Sequence, residues 1–267
     1  MARPTFSVRG LVLRRTKLGE SDVIVTLLAQ DGSQLRAVAK GARKPTSSFA
    51  SRLELFSVCD LLLVSGKSLD IVKEARLVEG NDHLRGSLDL VEAASPIVEL
   101  LDKTTQSGLA DGRLFPMACA ALSSLSRVGE GRPEESNALG LAESAAVVCA
   151  AELLKTSAVL GFCPRFDVCV GCGASLDLSH APDTVPFSFV DGGLVCGSCL
   201  GLHETVGLST SVAAWAQALM FSTFDQVTKF DIPRDVIVGI LRFLQMWSRQ
   251  HLGVKLVSLD FLLSSFA

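Results

Sequence analysis

Over the first 80 residues, apolar and polar positions alternate in twos and short runs, not in helical steps. Residues 8–16 (VRGLVLRRT) are mostly apolar with a basic tail. Residues 22–32 (DVIVTLLAQDG) are rich in β-branched side chains and end in Asp31-Gly32, a tight hairpin signal. In 33–41, Leu35, Ala37 and Ala39 alternate with Gln34, Arg36, Val38 and Lys40, the period of a half-buried strand. Residues 52–66 and 68–79 add two more strands, joined near Gly66-Lys67. Five short strands in so short a span are few for a sandwich. They suffice to close a five-stranded OB-type barrel, whose open face and loops commonly bind nucleic acid.

From about Asn81 the period becomes helical. Residues 87–108 set Leu90, Ala93, Ala94, Ile97, Val98 and Leu101 on one stripe, and Pro96 is expected to begin a new turn or a second helix there. A helix over 113–128 and a polar connection over 128–138 follow. Residues 139–162 form a long, buried helix that stops near Gly161. Further helices span 211–222 and 233–253, the last opened by Pro233 and closed by Gly253. The predicted class is α+β. A barrel domain (1–80) precedes an all-helical domain (81–267), into which a cysteine-bearing knob is inserted at about 165–204. The longest uncharged stretch, 205–224, carries Ser209, Thr210, Ser211, Gln217, Ser222 and Thr223 and repeats Val212, Trp215 and Leu219 at helical spacing. It predicts a soluble helix and no membrane span. The first ten residues lack the apolar run of a signal peptide, so a cytoplasmic chain is expected.

The formal net charge of −3 hides an asymmetry. Residues 1–76 hold 13 Lys/Arg against 7 Asp/Glu, and residues 77–267 hold 12 against 21. A basic front on an acidic body suggests that the front meets a polyanion. The connection 40–52 (KGARKPTSSFASR) contains Lys40, Arg43, Lys44 and Arg52 and no acid. Four cations this close repel one another unless an anion is near. Arg14, Arg15 and Lys17 end the first strand and are expected along the same edge. Phe49 is read as a core residue. With no Tyr and 6% aromatic residues, binding should be mainly electrostatic and steep in salt.

Cys169, Cys172, Cys196 and Cys199 form two Cys-x-x-Cys pairs separated by 23 residues. A Cys-x-x-Cys turn places two sulfurs on one side of an ion, and Zn²⁺ takes four thiolates in a tetrahedron. The residues before the second pair, PFSFVDGGLV, predict a hairpin around 191–193, the arrangement of a zinc ribbon. With all four positions filled by Cys, no ligand position is left for a catalytic water, so the zinc is structural. An iron–sulfur centre is the alternative occupant. Cys163 is expected as a buried thiol at a helix end, and Cys59, Cys119 and Cys149 as core. The His-x-Glu element of zinc deaminases is missing from its required place, and no phosphate-binding Gly-rich loop or nucleophile elbow is present.

These features together resemble the RecO recombination mediators of bacterial DNA repair. The resemblance runs through GLVLRRTKLGESDVIVTLLAQDG (10–32), AVAKGARKPTSSFASRLELFSVCDLLL (37–63), LGFCPRFDVCVGCG (160–173) and RFLQMWSRQHLGVKLVSLDFL (242–262). It implies an OB-fold N-terminal domain, a helical C-terminal domain and a zinc site at Cys169, Cys172, Cys196 and Cys199. It also implies binding of single- and double-stranded DNA, annealing of complementary strands, and no enzymatic activity. With RecR, such a protein helps load RecA onto strands covered by single-stranded-DNA-binding protein (SSB), whose C-terminal tail docks in the helical domain. Nucleoid-associated cytoplasmic localisation follows. Arg14, Arg15, Lys40, Arg43 and Lys44 match the basic barrel positions. A different class, a zinc-ribbon transcription or translation factor, would carry its cations on the ribbon. Residues 169–199 contain no Lys or Arg and three Asp.

Overall fold

The computed structural model describes residues 3–130 and 139–266. Most of the connection expected at 128–138 lies outside the described residues, and 128–130 are the last turn of a helix. Two compact units divide the chain at Gly129 and Glu130.

The first unit is built on a closed barrel with strand order β1-β2-β3-β5-β4. Its strands are β1 (Thr5–Leu18), β2 (Asp22–Ala29), β3 (Gln34–Ala39), β4 (Val58–Val64) and β5 (Asp70–Glu79). β1 serves two neighbours: Thr5–Leu11 pairs with β4 and Gly10–Leu18 with β2. A bulge between Val12 and Arg14 makes that possible, since a bulge bends a strand and raises its twist. Closure falls on a short parallel contact of β3 with β5, Ala37 opposite Asp70 and Val38 opposite Ile71. The hairpin expected at Asp31-Gly32 is present. Gly32 sits at φ 85°, and Asp31 Oδ1 accepts hydrogen bonds from the Ser33 amide (2.9 Å) and hydroxyl (2.7 Å). A Cβ on Gly32 would lie 1.9 Å from the Asp111 carbonyl oxygen, so no other residue fits. Val12, Val25, Leu27, Leu53, Leu61 and Leu63 fill the interior.

Three helices complete this unit: α1 (Asp82–Gly86), α2 (Leu88–Thr104) and α3 (Leu114–Glu130). α2 lies on β1 and β2, and the Gln34 amide donates to the Asp102 carbonyl at 2.8 Å. The period changes near residue 80, but the compact unit reaches Gly129, with α2 packed on the barrel and α1 on α2. Pro96 does not restart the helix: α2 runs through it unbroken. Its missing N–H costs one hydrogen bond, and the buried face of Leu90, Ala93, Ala94, Ile97 and Leu101 outweighs that loss.

The second unit holds α4 (Leu141–Val159), α5 (Thr210–Phe221), α6 (Phe224–Val227), α7 (Arg234–His251) and α8 (Val257–Ser264). It also holds a three-stranded sheet of β6 (Thr184–Ser188), β7 (Gly193–Leu194) and β8 (Val206–Ser209), with β6 central. α4 is buried on every side from Ala145 to Leu154 and packs against α5, α6 and α7. Its end near Gly161 (φ 91°) is closed by the Phe162 amide donating to the Ser157 carbonyl at 2.8 Å, a Schellman-type stop. Cys163, expected to be buried, is exposed: beyond the turn it is Pro164 and Phe166 that face inward. The Phe187 ring on β6 meets Phe166, Phe189, Phe243 and Trp247 at centroid distances of 5.7, 5.0, 5.3 and 6.3 Å. This ring cluster fastens the sheet to α7. Among the described residues, no helix is long and apolar enough to cross a membrane.

Two outcomes are expected here. Both tryptophans, Trp215 and Trp247, lie in the second unit, so their fluorescence in urea reports on that unit alone. Phe187→Ala should lower its stability by about 3–5 kcal/mol; a loss under about 1 kcal/mol, no more than a typical substitution costs, would mean that the ring cluster does not hold the sheet to α7. Glu152 is fully buried, and its Oε2 has no hydrogen-bond partner among the described residues. Burial pushes its carboxyl from the ordinary 4.5 up to about 8, against a smaller opposing effect of the Thr156 hydroxyl. The folded state therefore keeps a proton that the unfolded chain sheds above about 4.5, so stability falls as pH rises from there through about 8. Glu152→Gln should raise the fluorescence midpoint at pH 8 and leave it little changed near the lower limit. Equal shifts at both would contradict this.

Candidate nucleic-acid interface and metal centre

The connection from β3 to β4 is a run of turns pinned at both ends. At its start, the Gly41 amide donates to Asp22 Oδ1 at 2.8 Å, and the Arg43 amide donates to the Ser21 carbonyl at 2.9 Å. The Arg43 guanidinium donates to the carbonyls of Gly19 (3.1 Å) and Glu20 (3.0 Å), clamping the β1–β2 turn. At its end, Leu53 is buried in the barrel, and Arg52 donates to the Ala75 carbonyl at 2.9 Å. Phe49 is half-buried and packs on the barrel core.

This pinning gathers three lysines. Lys17 lies opposite Val23, Val23 lies opposite Ala39, and Lys40 follows at once. Lys17, Lys40 and Lys44 are exposed, and their ammonium groups make no hydrogen bond or ion pair among the described residues. The anion that the four-cation connection calls for is partly supplied by Asp22. Its carboxyl is held below the usual range, first by the Gly41 amide and then by the Ser21 hydroxyl, with Lys40 and Lys44 adding to the effect. The other predicted contacts are differently placed. Arg14 pairs with Asp102 at 2.9 Å and Arg15 pairs with Glu54, so both charges are compensated. Arg43 and Arg52 keep their charge but spend donors on backbone carbonyls.

Sequence reading missed a cleft of about 900 Å³ on the same unit. It is lined by Arg9, Phe49, Arg52, Asp60, Lys73 and Arg76, among others. Strand register explains it. Arg9 lies opposite Asp60, and Asp60 opposite Arg76, so the three form one row across β1, β4 and β5. Arg9 donates to both Asp60 carboxylate oxygens, at 2.7 and 3.1 Å, and Arg76 to one of them at 2.6 Å. These residues are far apart in the chain, and only the register brings them together.

In the second unit, the sulfurs of Cys169, Cys172, Cys196 and Cys199 all lie within 4.8 Å of one another. Cys172 and Cys196 are 3.7 Å apart. Four thiolates around Zn²⁺ at about 2.3 Å in a tetrahedron stand about 3.8 Å apart, so the donor set fits a thiophilic ion of that size. Each pair sits in a turn: the Gly173 amide donates to the Cys169 carbonyl (2.8 Å), and the Cys199 amide to that of Cys196 (3.0 Å). The Cys169 thiol is lowered to about 6, chiefly by the Cys196 backbone N–H, which donates to its sulfur at 3.3 Å. Cys199 is pushed up to about 12, first by its hydrogen bonds to the Cys196 and Cys172 sulfurs. Four thiols so close cannot all ionise without a cation between them. Neither His180 nor His203 joins the cluster. His203 Nδ1 instead lies 2.8 Å from Asp191 Oδ2, and its other face abuts Gly171, where a Cβ would be 2.6 Å from Nε2.

Both halves of the chain have relatives. Residues 1–81 match the family described as Recombination protein O N terminal, and residues 85–260 the one described as Recombination protein O C terminal. The DNA repair protein RecO of Desulfitobacterium hafniense (strain Y51) is 32% identical over 245 residues, covering 91% of this chain and 79% of that protein. The DNA repair protein RecO of Bifidobacterium longum subsp. infantis is 35% identical over 191 residues, covering 70% of this chain and 71% of its own. That of Rubrobacter xylanophilus is 31% identical over 191 residues, covering 72% and 70%. With a closed five-stranded barrel, a helical unit bearing a four-cysteine cluster, and matches in both halves, this chain belongs to the Recombination protein O (RecO) family.

Proposed function

We propose that this protein acts in DNA repair as a recombination mediator that binds single- and double-stranded DNA, anneals complementary strands, and with RecR helps load RecA onto SSB-coated strands. The observation that carries the reading is the lysine edge: Lys17, Lys40 and Lys44 stand exposed and unpaired on a rigidly pinned surface of a closed barrel. Ammonium groups that no side chain holds by a hydrogen bond or ion pair, fixed on strand ends and a clamped turn, suit phosphates and carry no base information. Annealing makes and breaks no covalent bond. It asks that two backbones approach while their charge is partly neutralised, so the protein works as a surface and not as an enzyme. Arg43 acts as the clamp of that surface. Arg14, Arg15 and Arg52 stay within the proposed contact set as its flanks, with their charge already shared.

The second unit holds 8 Lys/Arg against 14 Asp/Glu over residues 130–267, a charge that turns DNA away and leaves its surface to protein partners, RecR and the SSB tail. Its four cysteines would hold one zinc ion, which supplies cross-linking of the two turns and no chemistry of bond cleavage. The working compartment is the cytoplasm, at the nucleoid.

Two measurements test this. The triple variant Lys17→Ala, Lys40→Ala, Lys44→Ala should bind a labelled single strand more weakly at low salt, whatever its sequence. The slope of log affinity against log salt should fall by about 2, at roughly 0.7 per lost phosphate contact. An unchanged slope would remove the lysine edge from the interface. For the metal, elemental analysis of purified protein should give one zinc per chain, and Cys172→Ser should lose it together with the tryptophan-reported stability of the second unit. Protein that is free of zinc and unaffected by the Cys172→Ser change would overturn the zinc assignment.

A further inference from the structure

Resting on the reading that the barrel binds DNA, we infer that the cleft between β1, β4, β5 and the β3–β4 connection is a second phosphodiester site, in which Asp60 holds Arg9 and Arg76 in place of a phosphate and yields them when a single strand enters. Four cations line the cleft, Arg9, Arg52, Lys73 and Arg76, against two acids, Asp60 and Glu74. The Lys73 ammonium makes no hydrogen bond or ion pair among the described residues. The Asp60 carboxylate takes three charge-assisted hydrogen bonds from two guanidiniums, at 2.7, 3.1 and 2.6 Å. A carboxylate flanked by two arginine forks presents the charge and oxygen geometry that a phosphodiester presents to the same forks.

The row is exposed and not sealed in the core: side chains of Arg9, Asp60 and Arg76 are 41%, 30% and 79% accessible. Ion pairs so exposed are weak, so exchanging one anion for another costs little. The two guanidiniums hold the Asp60 carboxyl at about 2, so it competes as a full charge at every working pH. Phe49 adds an apolar wall on which a base can lie. The volume, about 900 Å³, is that of a small-molecule pocket, which admits a short stretch of one strand and not a duplex. The cleft uses the first half of β1 with β4 and β5, whereas the lysine edge uses the second half of β1 with β2 and β3. Two anion sites on one barrel give annealing a place for each strand. The Asp60 carboxylate keeps the second site from holding its strand too tightly to release it.

The test is anisotropy of a labelled oligo-dT, which cannot pair with itself, on the full-length chain. Asp60→Asn should bind about two- to five-fold more tightly at low salt, the range of one exposed charge pair. Arg76→Gln should bind more weakly by a similar factor, and the double variant should lose the gain of Asp60→Asn. Melting of each variant is followed alongside. If Asp60→Asn melts early, Arg76→Gln alone decides, since its side chain lies almost wholly in solvent. Binding that is unchanged in Arg76→Gln, or unchanged or weaker in a well-folded Asp60→Asn, overturns the cleft as a site. Should the lysine triple variant lose affinity while the cleft variants do not, the barrel reading stands and the cleft falls. Absence of any binding by the unaltered protein sinks both.

Discussion

Closing a five-stranded sheet on itself is the constraint from which this protein's surface follows. β3 and β5 touch through only two opposed residue pairs, which leaves the rest of β5 with an open edge. An open edge exposes unpaired backbone groups and must be covered. The β3–β4 connection covers it: Leu53 enters the barrel core, Phe49 packs on it, and Arg52 satisfies the Ala75 carbonyl. The clamp at the other end, Arg43 on the β1–β2 turn, fixes where the connection begins. Lys40 and Lys44 are held in solvent because the segment that carries them is a structural plug. The cleft is the same plug seen from its other side, where it meets β1, β4 and β5.

The second unit solves a different problem. Its sheet is too small to hold itself together, with β7 only two residues long. Two external supports make up for this. One is the aromatic cluster around Phe187 that joins β6 to α7; the other is the thiol cluster that gathers two turns into one point. The acids of residues 169–199 are partly used in local bonds: Asp191 accepts from Ser188 at 2.6 Å and faces His203, and Asp177 accepts from the Ser179 amide at 2.9 Å. The absence of Lys and Arg from residues 169–199 sets this segment apart from the barrel.

Much of this was legible in the sequence because it is local. Alternation located the strands, Asp31-Gly32 its hairpin, and the spacing of the four cysteines their cluster. What escaped depends on register or on packing between distant segments. The Arg9–Asp60–Arg76 row exists only once β1, β4 and β5 are aligned, and no period marks it. Arg14 and Arg15 look like free cations until Asp102 on α2 and Glu54 in the β3–β4 connection arrive beside them. Pro96 reads as a helix break, and is overruled by a buried face that extends on both sides of it. Short helices such as α6 carry too few residues to show a period, although the capping box of Thr223 and Gln226 marks its start.

In the proposed function, DNA meets the barrel through the plug and its clamp, and not through the knob. Hydrogen exchange followed by mass spectrometry, with and without a saturating single strand, reads this directly. Slowed exchange is expected in residues 17–22 and 40–52, with residues 169–199 unchanged. Protection centred on residues 169–199, with the barrel unaffected, would contradict it.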